Sequence, residues 1–330
     1  MSTSTLIIGH GLSGCVLAMT FYRYNIPFRL TGASHPDEAS MVSSGLINPV
    51  TGRKYVKSWL IDEYTDAAID FYTYTESLLG KKYFLPVDII RFITNEEARL
   101  AWEKRLKDPE YHRYVSNKRY EALDRTGKSY GVVTGGYKLD VQHWINDVRK
   151  FLATQDLITI TDHLITGPNN SYDRTIYATG AVGELASTGL IPNKGEALIV
   201  RLPDWHLPGI VKEDVFFVPL GYDDLFWVGS YYEPWSEVSG PTAEGKKMII
   251  QAIKKAYTGS MVIVDHLAGV RPTVIDRRPI IGLYPGKENR YLFNGMGTKG
   301  TSLAPYWADK LLAYLEKGEI LPEIVSPSRF

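Results

Sequence analysis

Thr5-Leu-Ile-Ile8 is a short, β-branched apolar run that passes directly into a stretch of different rhythm. There Leu12, Cys15, Val16, Met19 and Phe21 recur at helical spacing up to about Tyr24, and Pro27 cannot continue the helix. Phe28-Arg-Leu-Thr31 then reads as a second strand, so the amino terminus predicts a strand–helix–strand unit. Helical periodicity returns over 58–79, where Leu60, Ile61, Tyr64, Ala68, Phe71, Tyr72 and Leu79 form the apolar face. It recurs near 95–106 and over 141–153, 243–256 and about 306–317. Strand-like runs fall at 88–93, 173–181, 195–201, 214–218 and 225–230. Residues 33–58 are rich in Ser, Gly and Pro, and so long a connection is more often functional than idle. The chain contains no internal repeat.

The junction between the first strand and the first helix reads Gly9-His-Gly-Leu-Ser-Gly14, a G-x-G-x-x-G. Gly9 permits the tight turn, Gly11 lets a pyrophosphate approach the backbone, and Gly14 lets the helix pack closely on the sheet. The helix start at Leu12 and Ser13 offers free N–H groups to phosphate. Strand, fingerprint and helix in that order predict a dinucleotide site, with His10 close to the pyrophosphate. One part of the usual pattern is absent. The acid that ends the second strand and binds the adenosine ribose is replaced by Thr31-Gly32, and the nearest acids are Asp37 and Glu38 in the following loop.

Composition narrows the function classes. At 330 residues the chain predicts one large or two interleaved domains. Lys plus Arg equals Asp plus Glu at 37 each, so no general attraction to nucleic acid or anionic membrane is expected. The 7 Trp, 22 Tyr and 11 Phe suit the enclosure of a flat cofactor, and equally suit aromatic cores. Cys15 is the only cysteine and is expected in the core rather than as a nucleophile. Neither a signal peptide nor a membrane span is expected, which makes the cytoplasm the default location. No H-E-x-x-H, G-x-S-x-G or carboxylate cluster points to a metal site or a hydrolase.

Taken together, blocks spanning nearly the whole chain resemble the D-amino-acid oxidase and glycine oxidase family of FAD-dependent oxidoreductases. Gly9–Gly14 looks like that family's ADP-binding turn. Ser43-Ser44-Gly45-Leu46 is similar to the small-residue segment that lies beside the flavin ring. Gly136-Tyr-Lys-Leu-Asp140 resembles the turn that returns the chain to the cofactor domain, and Thr179-Gly180 matches the strand end that closes over FAD. Gly195-Glu-Ala-Leu198, Val218-Pro219 and Val228-Gly-Ser230 are similar to substrate-domain strands. The most specific block joins Gly269-Val-Arg-Pro272, Asp276, Pro279 and Gly282 to Gly295-Met-Gly-Thr-Lys-Gly300 and Thr301. The family's basic residue in that last turn stands one position later here, as Lys299.

The resemblance implies an α/β protein with a Rossmann-like FAD-binding domain of glutathione-reductase type. Interleaved with it would be a smaller α+β substrate domain on a mixed, largely antiparallel sheet. Residues 1–80, 137–190 and 262–330 would bind FAD, and 81–136 and 191–261 would bind substrate. Gly295, Gly297, Thr298, Lys299, Gly300 and Thr301 would join the amino-terminal glycines as cofactor contacts. The implied reaction is oxidation of the C–N bond of a small amine-bearing carboxylate by hydride transfer to flavin N5. Oxygen or another acceptor would then reoxidise the flavin.

The resemblance makes Arg271 the expected carboxylate anchor, a task that suits a permanently charged, bidentate guanidinium, whereas spacing alone favours a structural salt bridge with Asp265 or Asp276. Lys299 either adds positive charge near the flavin C2 carbonyl or is a solvated turn lysine. Tyr231 and Tyr232 follow a strand that should border the substrate cavity. Arg53, Lys54 and Lys57 form a basic run, read first as an exposed face and second as an anion contact. Two other functions remain open on sequence: an NAD(P)-dependent dehydrogenase, and a flavoprotein module of a larger assembly such as a tRNA-modifying enzyme.

Overall fold

The computed structural model describes residues 3–36, 38–125, 127–163, 171–182, 189–221, 224–234 and 240–330. Two large sheets organise them. The first has six strands, ordered Ile280–Leu283, Arg290–Asn294, Arg174–Tyr177, Thr5–Ile8, Phe28–Gly32 and Ile158–Ile160. All its pairings are parallel except that of Ile280–Leu283 with Arg290–Asn294. Thr5–Ile8 is buried at every position, as expected for a central parallel strand covered on both faces.

The second sheet has nine strands and is antiparallel apart from the pairing of Ile210–Lys212 with Phe84–Phe92. Its longest strands are Val262–Val274, Leu190–Arg201, Leu225–Pro234 and Tyr130–Leu139. One face of this sheet, with Leu198, Val228 and Phe217, is covered by the helix Ala243–Ala256 through Ile249 and Ile253. The other face carries Phe216, Val218 and Trp227 into the main core. Val262–Val274 lies in the stretch given to the cofactor part, yet it hydrogen-bonds along its length with Leu190–Arg201 in the nine-stranded sheet.

The predicted helices form with small shifts of boundary: Leu12–Arg23, Ile61–Leu79, Glu96–Leu106, Val141–Thr154 and Ala243–Ala256. Two expectations change. Gly136 to Leu139, expected as part of a turn, lie inside the strand Tyr130–Leu139. The carboxy-terminal helix, expected from about Tyr306, begins at Gly300 and contains Pro305 in its second turn. Proline has no N–H for the carbonyl four residues earlier. That carbonyl belongs to Thr301, and it accepts a hydrogen bond of 3.1 Å from the buried hydroxyl of Tyr72 on the helix Ile61–Leu79. No helix among the described residues is long and apolar enough to cross a membrane.

Candidate active site

A cavity of about 900 Å³ lies between the two sheets. Four of its walls follow the carboxyl ends of parallel strands: Gly9–Ser13, Ala33–His35, Ala178–Val182 and Met296–Thr301. Crevices at such strand ends are where open α/β sheets take ligands. The facing wall comes from the nine-stranded sheet, with Gly195, Phe216, Trp227, Tyr232 and Arg271. Between them runs the segment after the second strand. It is tied to the facing sheet by a bridge from Glu38 to Val270 and by the Trp227 indole, which donates to the Val42 carbonyl at 3.0 Å.

The amino-terminal turn is built for close approach. Gly9 has φ +108°, a conformation that side chains rarely adopt, and a Cβ there would collide with the Ala178 carbonyl. A Cβ on Gly14 would collide with the Gly9 carbonyl. Gly11 faces Ser40, whose hydroxyl accepts from the Leu12 amide at 3.0 Å. The His10 carbonyl accepts from Nε and Nη2 of Arg149 at 3.1 and 2.8 Å, and Arg149 also pairs with Glu38 at 3.0 Å. Burial, and then the Arg149 charge, lower the His10 pKa to about 4. Burial raises the Glu38 pKa, with Arg149 opposing it.

Of the predicted cofactor contacts, Gly9, His10, Gly11, Leu12 and Ser13 line the cavity, as do Ser43, Ser44 and Leu46. So do Thr179 and Gly180, with Gly297, Thr298, Lys299, Gly300 and Thr301. Gly14, Gly45 and Gly295 stand behind this wall. A Cβ on Gly45 would lie 2.9 Å from Val141 Cγ2, and one on Gly295 would lie 2.7 Å from Val274 Cγ2, so both serve close packing. Cys15 is buried, and burial raises its thiol pKa to about 12, far from a nucleophile's range.

Arg271 and Tyr232 meet at the cavity. The guanidinium lies 4.7 Å from the Tyr232 ring centroid and donates to Asn193 Oδ1 at 3.4 Å. It also fills the space where a Cβ on Gly195 would stand. Asp276 is paired with Arg329 instead, and among the described residues Arg271 forms no salt bridge. Burial lowers its pKa, the signature of a desolvated cation. Lys299 donates to Ser58 Oγ at 3.0 Å, and burial with the neighbouring Arg278 and Arg277 lowers its pKa. Lys299 is nonetheless an exposed residue, and its side chain lines the cavity.

Tyr231 is turned the other way. Successive residues of an extended strand point to opposite faces, and Tyr231 packs with the apolar cluster on the far side of the sheet. Arg53 and Lys54 are exposed and off the cavity wall, and Lys57 pairs with Asp62 at 2.7 Å. Sequence reasoning missed Ser40, Glu38 as Arg149's partner, Asn48 and Trp227. Only their shared position in the wall sets them apart, and a linear pattern does not encode it.

The fit to a dinucleotide rests on buried polar atoms that the protein leaves unpaired. His10 Nδ1 and Nε2 and Asn48 Oδ1 are buried without a hydrogen-bond partner among the described residues, and both side chains line the cavity. With the glycine cradle, these are the features of a site completed by a ligand.

A family model described as FAD dependent oxidoreductase matches residues 4–315. Among solved structures, the chain resembles iminodiacetate oxidase from Chelativorans sp. BNC1, at 21% identity and TM-score 0.77, with 98% of each chain covered. It also resembles glycine oxidase from Geobacillus kaustophilus, at 16% identity and TM-score 0.78, with 99% of each covered. L-proline dehydrogenase from P. horikoshii matches at 13% identity and TM-score 0.74, over 100% of this chain and 98% of that one. The cofactor is therefore FAD rather than a nicotinamide nucleotide, and the chain belongs to the FAD-dependent oxidoreductases of the D-amino-acid oxidase type.

Proposed function

We propose that this oxidoreductase acts on the C–N bond of a small amine-bearing carboxylate, such as a D-amino acid, glycine or a secondary amino acid. Bound FAD supplies the two-electron acceptor for the hydride leaving the carbon next to nitrogen. Arg271 carries the reading: it is a half-buried guanidinium on the cavity wall, packed over Gly195 and the Tyr232 ring, without a carboxylate of its own among the described residues. A desolvated cation is costly unless it is paired, and a substrate carboxylate completes the pair. Its planar fork takes two carboxylate oxygens at once and so fixes the orientation of the carbon to be oxidised.

Tyr232 supports the guanidinium from below, and its phenol gives the cavity rim a polar edge. Phe216 and Trp227 keep the wall opposite the glycine turn apolar, which excludes water from the reacting bond. Lys299 holds positive charge at the start of the carboxy-terminal helix, where the free amides add to it. The released imine hydrolyses in water, and oxygen or another acceptor takes the electrons. Iminodiacetate oxidase, glycine oxidase and L-proline dehydrogenase, all similar in fold, act by name on amine-bearing carboxylates.

We further take the chain as two interleaved parts, FAD-binding (1–80, 137–190 and 262–330) and substrate-binding (81–136 and 191–261). Val262–Val274 contributes Arg271 to the substrate side through the sheet it pairs into. An anaerobic screen of amino acids and N-methyl amino acids, scored by bleaching of the flavin band, tests the reaction. At least one small amino acid should bleach the flavin, and bleaching only by amines that lack a carboxylate overturns the assignment.

A further inference from the structure

We infer that the adenosine ribose of FAD is held by the imidazole of His10, which has exchanged places with the carboxylate that ordinarily ends the second strand. The inference rests on the assignment of FAD. Gly32 is the last residue of the strand Phe28–Gly32, the place from which a Rossmann acid reaches the ribose hydroxyls. Its backbone gives no reason for glycine, since its φ is not among the positive ones. Space gives the reason: a Cβ on Gly32 would lie 2.9 Å from Cδ2 of His10 and 3.2 Å from the His10 amide nitrogen. The His10 ring occupies the volume of the missing side chain, and any residue other than glycine at position 32 would displace it.

That ring is equipped for a diol. It is 2% exposed and lines the cavity, and neither nitrogen has a well-formed partner, although the carbonyls of His10 and Gly32 lie near it. Burial beside Arg149 keeps the imidazole neutral at physiological pH. A neutral imidazole offers one N–H donor and one acceptor nitrogen, and a pair of ribose hydroxyls matches both. The backbone holds the ring in place, because Arg149 clamps the His10 carbonyl with two hydrogen bonds. Two acids line the cavity: Glu38, whose Oε1 is committed to Arg149 at 3.0 Å and lies beside Gly11 rather than at the strand end, and Asp162, which is exposed just past the neighbouring strand Ile158–Ile160.

The test is titration of deflavinated protein with FAD and with FMN, which lacks the adenosine, followed by quenching of flavin fluorescence. His10→Ala should weaken FAD at least about tenfold, the scale of one or two lost hydrogen bonds, while leaving FMN binding unchanged. Gly32→Glu should weaken FAD as well, because its side chain drives the ring out. The double variant His10→Ala/Gly32→Glu should recover FAD binding to within about threefold of the parent, since carboxylate and space then return together. Unchanged FAD binding by His10→Ala, equal losses for FAD and FMN, or a double variant no better than Gly32→Glu alone overturns the exchange. Should His10→Ala not fold, His10→Asn keeps a donor and an acceptor and must still prefer FAD over FMN; loss of that preference overturns it too. A parent protein that binds no FAD defeats the cofactor assignment instead, so the two failures are distinct.

Discussion

Arg271 shows what one residue's surroundings decide. Its guanidinium lies across Gly195 and against Tyr232, with Asn193 as its polar neighbour, so the paired strand Leu190–Arg201 and the next strand Leu225–Pro234 leave it room and neither brings it a carboxylate. The Gly-x-Arg-Pro spelling made the residue a candidate, but spacing alone favoured a salt bridge with Asp265 or Asp276. Asp276 pairs with Arg329 instead, and among the described residues Arg271 forms no salt bridge with either acid. Arg271→Leu should raise KM for carboxylate substrates by about a hundredfold, from the roughly 2–3 kcal/mol of a charge-assisted contact, and leave the bound flavin spectrum unchanged. Steady-state kinetics with and without a substrate carboxylate reads this directly; an unaltered KM takes Arg271 out of the site.

At the scale of elements, the carboxy-terminal helix turns on a tertiary hydrogen bond. Pro305 makes a helix start near Tyr306 the natural reading of the chain, because proline removes one amide donor from a helix interior. Gly300–Lys317 forms regardless, since the Tyr72 hydroxyl satisfies the Thr301 carbonyl that Pro305 leaves open. The earlier start has a functional consequence: it places Gly300 and Thr301 on the cavity wall as the first residues of a helix. Tyr72→Phe should therefore cost about 1–2 kcal/mol, the range for a buried polar group left unpaired. Adding Pro305→Ala should return much of that loss, because the alanine N–H replaces the phenol. Urea melts of the two single variants and the double form the cycle, and a Tyr72→Phe protein as stable as the parent refutes the linkage.

The whole molecule is arranged around a ligand it does not itself fill. Apolar residues of both sheets join one core, while His10 and Asn48, which line the cavity between the sheets, carry buried polar atoms without a hydrogen-bond partner among the described residues. Ligand binding that favours only the folded chain stabilises it by mass action, by about 2.7 kcal/mol at a free concentration a hundredfold above Kd. The Tm of the deflavinated protein should accordingly climb with FAD concentration and climb less with FMN at the same concentration. A melting curve that ignores added FAD contradicts a cofactor seated between the sheets.

Much of this arrangement was legible in the chain. The β-branched run, the glycine fingerprint and the helical spacing after it depend on neighbours in sequence, and local geometry forces their outcome. The glycines of the Gly9–Gly14 and Gly295–Gly300 turns and the Gly-x-Arg-Pro block were found for the same reason. Tyr231 and Tyr232 mark the limit: adjacency nominated both, and the alternation of an extended strand, once its facing partner was known, left only Tyr232 on the cavity. Gly32 beside His10, Tyr72 beneath Thr301 and Glu38 against Arg149 join residues 22 to 229 positions apart. Those contacts exist only after packing brings the elements together, because burial and steric exclusion act through space and carry no period along the chain.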